Sequence, residues 1–175
     1  RLGLSPDLVV FAKGVTSGYL PLGGILVAPW LTEPFWDPEA GVTWRHGYTY
    51  SGHAAACVAA LTNMDILERE HLLERGRALE SDLATALAPL ADHPLVTEVR
   101  SGLGALAAVQ LDPARIEADP TLRTRAVPAI RSAGVLSRLV AGDAWQVSPP
   151  LVISPAEIDE LVAGFAAALD ALQSG

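Results

Sequence analysis

The sequence predicts a mixed α/β protein, and three observations carry that expectation. Residues 8–12, Leu-Val-Val-Phe-Ala, form a short apolar run bounded by turn formers, as a strand does. From Ala54 onward, apolar residues recur at helical spacing. Near the end, Ser154-Pro155-Ala156-Glu157 opens an amphipathic helix with a capping box and proline at its first position.

The elements follow in chain order. The run at 8–12 shows no polar alternation, so it reads as a strand buried on both faces, with Lys13 at its end. Residues 14–24 form a glycine-punctuated loop. Residues 25–28 read as a second strand. Residues 29–44 are irregular, with a short helix over 31–36, and 45–53 are a polar loop containing glycine. Cys57, Ala60, Leu61, Met64 and Leu67 begin a helical stripe. Leu72, Leu79, Leu83, Leu87 and Leu90 continue it, as one long helix or two joined near His71 or Gly76. Strands follow over 95–100 and 106–111, separated by Ser101-Gly102-Leu103-Gly104. Asp119-Pro120 reads as a helix start, Pro128 as an interruption and Gly134 as a stop. Residues 134–138 and 145–148 read as short strands. The last helix presents Ile158, Leu161, Val162, Phe165, Leu169 and Leu172 on one face.

Composition narrows the class. Half of the 175 residues are hydrophobic, enough for a real core, and 18% are charged, below the globular average of about 25%. A net charge of -8 and the lack of any basic run argue against a nucleic-acid partner. No apolar stretch reaches the roughly 18 residues of a membrane span, and no signal peptide is visible. One cysteine, Cys57, points to a reducing compartment, hence the cytoplasm. The abrupt start at Arg1 is expected of a fragment. Two domains are expected, over residues 1–74 and 75–175.

Lys13 is the only lysine. A partly desolvated lysine held at a strand end can lose its proton and form a Schiff base with an aldehyde. The same position also suits an ordinary solvated lysine. In the loop at 46–53, hydroxyls and backbone N–H groups before a helix could hold a phosphate, or they could only cap the helix. Arg138 could pair bidentately with a carboxylate, or it could be a surface arginine. His46 and His53 lack the partners of a metal site, and His71 and His93 read as exposed. Cys57 reads as a core residue, and the four tryptophans read as packing residues or pocket walls.

Residues 7–23, Asp-Leu-Val-Val-Phe-Ala-Lys-Gly-Val-Thr-Ser-Gly-Tyr-Leu-Pro-Leu-Gly, resemble the cofactor-lysine segment of class III aminotransferases. That resemblance implies that Lys13 holds pyridoxal 5'-phosphate (PLP) and shuttles a proton. Ser17-Gly18-Tyr19 is similar to the ω-amino-acid:pyruvate branch and implies a substrate-side place for Tyr19. Residues 46–53, His-Gly-Tyr-Thr-Tyr-Ser-Gly-His, resemble the family loop whose threonine reaches the PLP phosphate of a neighbouring subunit. This implies that role for Thr49, with Ser51 beside it. Residues 138–143, followed by Ser148-Pro149-Pro150-Leu151, resemble the small-domain loop whose arginine takes the substrate carboxylate, here Arg138. Residues 99–104 are similar to a structural turn of the family. Two departures stand out: Ala54 replaces a usual proline, and the interval from Arg138 to Gly142-Asp143 is one residue longer than in some relatives.

The resemblance implies the C-terminal part of a PLP-transferase fold type I large domain plus an α/β small domain. It implies transamination from an ω-amino acid or amine to a keto acid such as pyruvate, in a homodimer, with no nucleic acid or membrane partner. The family's N-terminal part supplies a phosphate segment, a ring stacked on the cofactor and an aspartate for its pyridine nitrogen. The alternative is a catalytically silent remnant or split subunit that serves as a structural or interaction module.

Overall fold

The computed structural model describes residues 3–174 and divides into two compact units, Arg1–Glu70 and His71–Gly175. The division falls where the helical stripe breaks, a few residues before the expected 74–75.

In the first unit, β1 (Leu8–Ala12) pairs antiparallel with β2 (Gly23–Val27), from Leu8 opposite Val27 to Ala12 opposite Gly23. At Gly24 a Cβ would lie 2.5 Å from the Phe11 ring, so glycine there gives the ring room to cross the facing strand. A 3₁₀ turn, Lys13–Thr16, follows β1. Next come α1 (Pro29–Trp36), entered through Pro29, and α2 (Ala54–Arg69), capped by His53 Nδ1, which accepts from Ala56 N–H at 3.2 Å.

The ribbon corrects one expectation. Leu8 and Val10 are 56% and 75% exposed, so β1 is not buried on both faces. A continuous apolar run is buried only where layers cover it, and no helix or sheet of this unit covers the ribbon among the described residues. Among the described residues of the unit, Thr16, Ala56 and Ala60 are buried.

The second unit has a true core. After His71, held at φ +53, α3 (Leu72–Leu87) begins, so the stripe forms two helices. An antiparallel sheet follows in the order β3-β4-β6-β5: β3 (Val96–Leu103), β4 (Leu106–Leu111), β5 (Leu139–Val140) and β6 (Ala144–Val147). Along β4, Ala107, Val109 and Leu111 are buried while the residues between them are not, the period-2 pattern of a sheet covered on one face. Leu79, Leu83 and Leu87 of α3 join that core with Trp145 and Phe165, whose rings meet edge to face at 5.6 Å.

Several boundaries differ from expectation. β3 runs past Arg100 to Leu103, with a register shift that Gly102 (φ +91) accommodates, and the turn lies at Gly104. An unexpected helix, α4 (Pro113–Ala118), is capped by Asp112, which accepts from Ala114 N–H at 2.8 Å. Asp119 does not cap the next helix. It accepts from Thr121 N–H and Oγ–H in the link, and α5 (Leu122–Ser132) starts beyond Pro120. α5 also runs through Pro128, pinned by fully buried Ala126 and Ile130 on either side. Gly134 (φ +86) ends it as expected. Residues 134–138 are not a strand. His93 is half-buried, with Nδ1 accepting from Leu95 N–H at 3.1 Å. In α6 (Pro155–Ser174) the capping box forms: Glu157 accepts from Ser154 N–H at 2.8 Å and donates its own N–H to Ser154 Oγ at 3.3 Å.

Candidate functional site

The end of β1 delivers Lys13 into an unusual backbone state. Its φ is +54, and Ser17, four residues on, has φ +49. Each such non-glycine residue costs on the order of 1–3 kcal/mol and persists only where its surroundings over-determine it. The strain brackets the turn that carries the only amine side chain in the chain, and Lys13 is exposed.

Two devices hold this turn. Thr16 is buried to 1% exposure, and its hydroxyl donates to Leu20 O at 2.6 Å, closing the following loop. From α2, Asn63 reaches across: its Nδ2 donates to Gly14 O at 3.0 Å and to Val15 O at 3.1 Å, and its Oδ1 accepts from Ser17 Oγ–H at 2.7 Å. Sequence reading missed Asn63. The available signal was a polar residue at the spacing of buried Ala56 and Ala60, hence on the inner face of α2. That face is also one position out of phase with the expected stripe, and Cys57 is only half-buried.

Tyr19 lies on the same loop, 85% exposed, with its N–H donating to Thr16 O. Thr49 and Ser51 lie in the loop that precedes α2. Ser51 Oγ accepts from Tyr48 N–H at 2.9 Å, so part of its capacity braces the loop. The Thr49 side chain is exposed and bonds to none of the described residues. α2 therefore joins the two segments in sequence and structure: its N-terminus follows Thr49 and Ser51, and its body grips the Lys13 turn.

Arg138 belongs to the second unit. It precedes β5 on the rim of a cleft of about 1010 Å³ that is also lined by Arg131, Gln146, Ser148, Glu157 and Glu160. Its Nε donates to Gln146 Oε1 at 2.9 Å, and Gln146 Nε2 donates to Ser148 Oγ at 3.0 Å. The turn after β5 is fixed as well. Arg123 of α5 donates from Nε and from its terminal nitrogen to the two oxygens of Asp143, at 2.7 and 2.8 Å. Those hydrogen bonds hold the Asp143 carboxyl below the usual carboxylate range and raise the Arg123 guanidinium above its ordinary value. Trp145 is buried in the core rather than lining the cleft.

The residues of the first unit fit a phosphorylated aldehyde. An exposed primary amine stands at a strand end, and an unengaged hydroxyl precedes a helix N-terminus, where N–H groups favour a dianion. Among the described residues no group of three or more His, Cys, Asp or Glu could hold a metal ion, and no helix is long and apolar enough to cross a membrane.

Comparison with known proteins places these features. A family model described as aminotransferase class-III matches residues 1–169. The chain is 39% identical over 171 residues to a putrescine–pyruvate aminotransferase of Pseudomonas aeruginosa, covering 91% of this chain and 35% of that protein. It is 40% identical over 175 residues to a diaminobutyrate–2-oxoglutarate transaminase of Halomonas elongata, covering 92% and 36%. Its backbone matches the crystal structure of a thermostable (S)-enantioselective omega-transaminase from Thermomicrobium roseum with a TM-score of 0.84 at 39% identity, over 97% of this chain and 38% of that one. The chain thus spans about a third of the length of the relatives it matches.

Proposed function

Because this chain belongs to the class-III aminotransferase family, whose members are PLP-dependent, we propose that the protein containing it moves an amino group from an ω-amino acid or amine to a keto acid such as pyruvate. The observation that carries this reading is Lys13: a sole lysine, at a strand end, on a strained and pinned turn, inside the matched family segment. PLP supplies a conjugated pyridine ring that takes up the electron pair released at the amino-bearing carbon.

The remaining chemistry belongs to side chains. Lys13 Nζ holds the cofactor through its aldehyde carbon and moves the proton at the substrate carbon. Thr49, assisted by Ser51, holds the phosphate, across a homodimer interface as the family likeness implies. Arg138 pairs with the substrate carboxylate. Its Nε is occupied by Gln146 while its terminal nitrogens remain for a two-point contact. Tyr19 flanks the substrate. A diamine donor is supported by the likeness to a putrescine–pyruvate aminotransferase. The single cysteine supports a cytoplasmic location.

The test adds PLP and records the visible spectrum. A band from lysine-bound cofactor is expected, and it should be lost in Lys13→Ala. Alanine should then form from pyruvate with an amine donor. A chain that binds PLP equally well without Lys13 sinks this reading. A chain that shows no band at saturating PLP removes Lys13 as the residue that holds the cofactor in this chain.

A further inference from the structure

Asn63 lies about one and a half turns before the end of α2, far in sequence from Lys13, yet the hydrogen bonds of its side chain all go to the turn after Lys13. Both amide protons and the amide oxygen are engaged, so the side chain has one orientation. Its two acceptors, Gly14 O and Val15 O, are the first two carbonyls beyond Lys13. Its one donor, Ser17 Oγ–H, comes from the residue that closes the turn in a left-handed state.

A turn with unfavourable φ at both ends needs an external restraint, because released backbone returns to φ < 0. For Lys13 that return would swing the Cα–Cβ bond and redirect the amine. Thr16 restrains the far side through Leu20 O and does not touch the carbonyls next to Lys13. Asn63 does. A helix is also a stiffer anchor than a loop for a group that must meet a bound molecule at one angle.

We propose that Asn63 is the positioning residue for the Lys13 amine: it fixes the backbone at 14–15 and so aims the amine before the cofactor arrives. The proposal rests on the reading of Lys13 as the PLP lysine. The Asn63 side chain bonds to the turn and not to Lys13 itself. Its effect is to remove backbone states in which the amine points elsewhere, an orientation cost that otherwise falls on binding.

The sole lysine makes the test specific. PLP is added to the chain, the adduct is reduced with borohydride, and the Lys13 peptide is quantified by mass spectrometry across PLP concentrations. In parallel, lysine labelled with 13C at the ε carbon gives one resonance that reports the amine's surroundings without cofactor. Asn63→Ala should weaken PLP trapping at Lys13 about tenfold, the loss expected from two neutral hydrogen bonds that hold the productive geometry. Its lysine resonance should move to the position of a free chain while far-UV helicity is retained. Asn63→Asp keeps the acceptor for Ser17 but loses the donors to both carbonyls, so it should behave like Asn63→Ala. It also serves as the near-isosteric variant should the alanine form fold poorly. Ser17→Ala, which removes one bond, should lose less. Parent-level trapping in both Asn63 variants overturns the positioning role and leaves Lys13 intact. Trapping that falls only in step with helicity also overturns it. Absence of trapping in the parent removes the reading of Lys13 and this inference together.

Discussion

Gly76 and Gly164 both sit inside helices, where alanine is favoured over glycine by about 1 kcal/mol. Their neighbours decide the sign of the substitution. A Cβ at Gly164 would clash with Val135 Cγ2 and lie 3.1 Å from the backbone oxygen of Ala133, which has little freedom to move. A Cβ at Gly76 would meet only Leu151 Cδ2, at 3.3 Å, the flexible end of a side chain. Gly164→Ala is therefore expected to destabilise the second unit by about 1–2 kcal/mol, since overpacking outweighs propensity. Gly76→Ala should stabilise it by up to about 1 kcal/mol. Urea unfolding of both variants checks this pair, and equal signs would refute the argument. The same scale shows what sequence can and cannot reveal about the site. Lys13, Thr49 and Arg138 can be proposed from sequence because each lies in a contiguous motif. Asn63 is not, because its partners are 46 to 49 positions away and only the fold brings α2 to the turn.

Helix starts show a similar division among elements. The chain contains Asp112-Pro113 and Asp119-Pro120, each with the cap-then-proline signature. The first caps α4 and the second only links α4 to α5. α4 has six residues, too few for a periodic stripe, so pattern alone cannot choose between the two pairs. α6 is legible because its capping box precedes twenty residues with one apolar face. These element ends also set the response to acid. Asp143 is held low by Arg123, Asp119 first by the Thr121 hydroxyl, and Glu157 first by the backbone N–H of Ser154. Each carboxyl has a lower pKa folded than unfolded, so on acidification the unfolded chain takes up protons first. The stabilisation is complete above the unfolded values near pH 4 and is lost as pH falls through the lower folded values. The urea midpoint of the second unit should thus fall between about pH 5 and pH 2. Asp143→Asn should start lower at neutral pH and fall less steeply, since it removes the partially buried member of the set, whose side chain is 19% exposed. Parallel curves for the two proteins would remove Asp143 from the explanation.

For the molecule as a whole, the two units differ in what holds them together. The core of the second unit runs from α3 through the sheet to α6, and Leu79, Leu83, Leu87, Val109, Ala126, Ile130, Ala144, Trp145, Phe165, Ala168 and Leu169 are fully buried. The first unit buries Thr16, Ala56 and Ala60, while Val10, Ile25, Leu26 and Trp36 on its ribbon and first helix stay exposed. A two-stranded ribbon without a covering layer is marginal in water, and hydrophobic burial is the main term that offsets chain entropy. The apolar character of residues 8–12 was legible in the sequence, but its burial was not, because burial depends on what covers the strand. Native-state hydrogen exchange should therefore separate the units. Amides of β1 and β2 should exchange through local opening, orders of magnitude faster than those of β4 and α6, whose exchange should approach the global unfolding free energy. Saturating PLP should slow exchange in the Lys13 turn and in α2 around Asn63 more than in β4, because a ligand stabilises the unit it binds. Protection of β1 and β2 equal to that of β4 in the free chain would mean that the two units unfold as one, and the account of a weakly held first unit would fail.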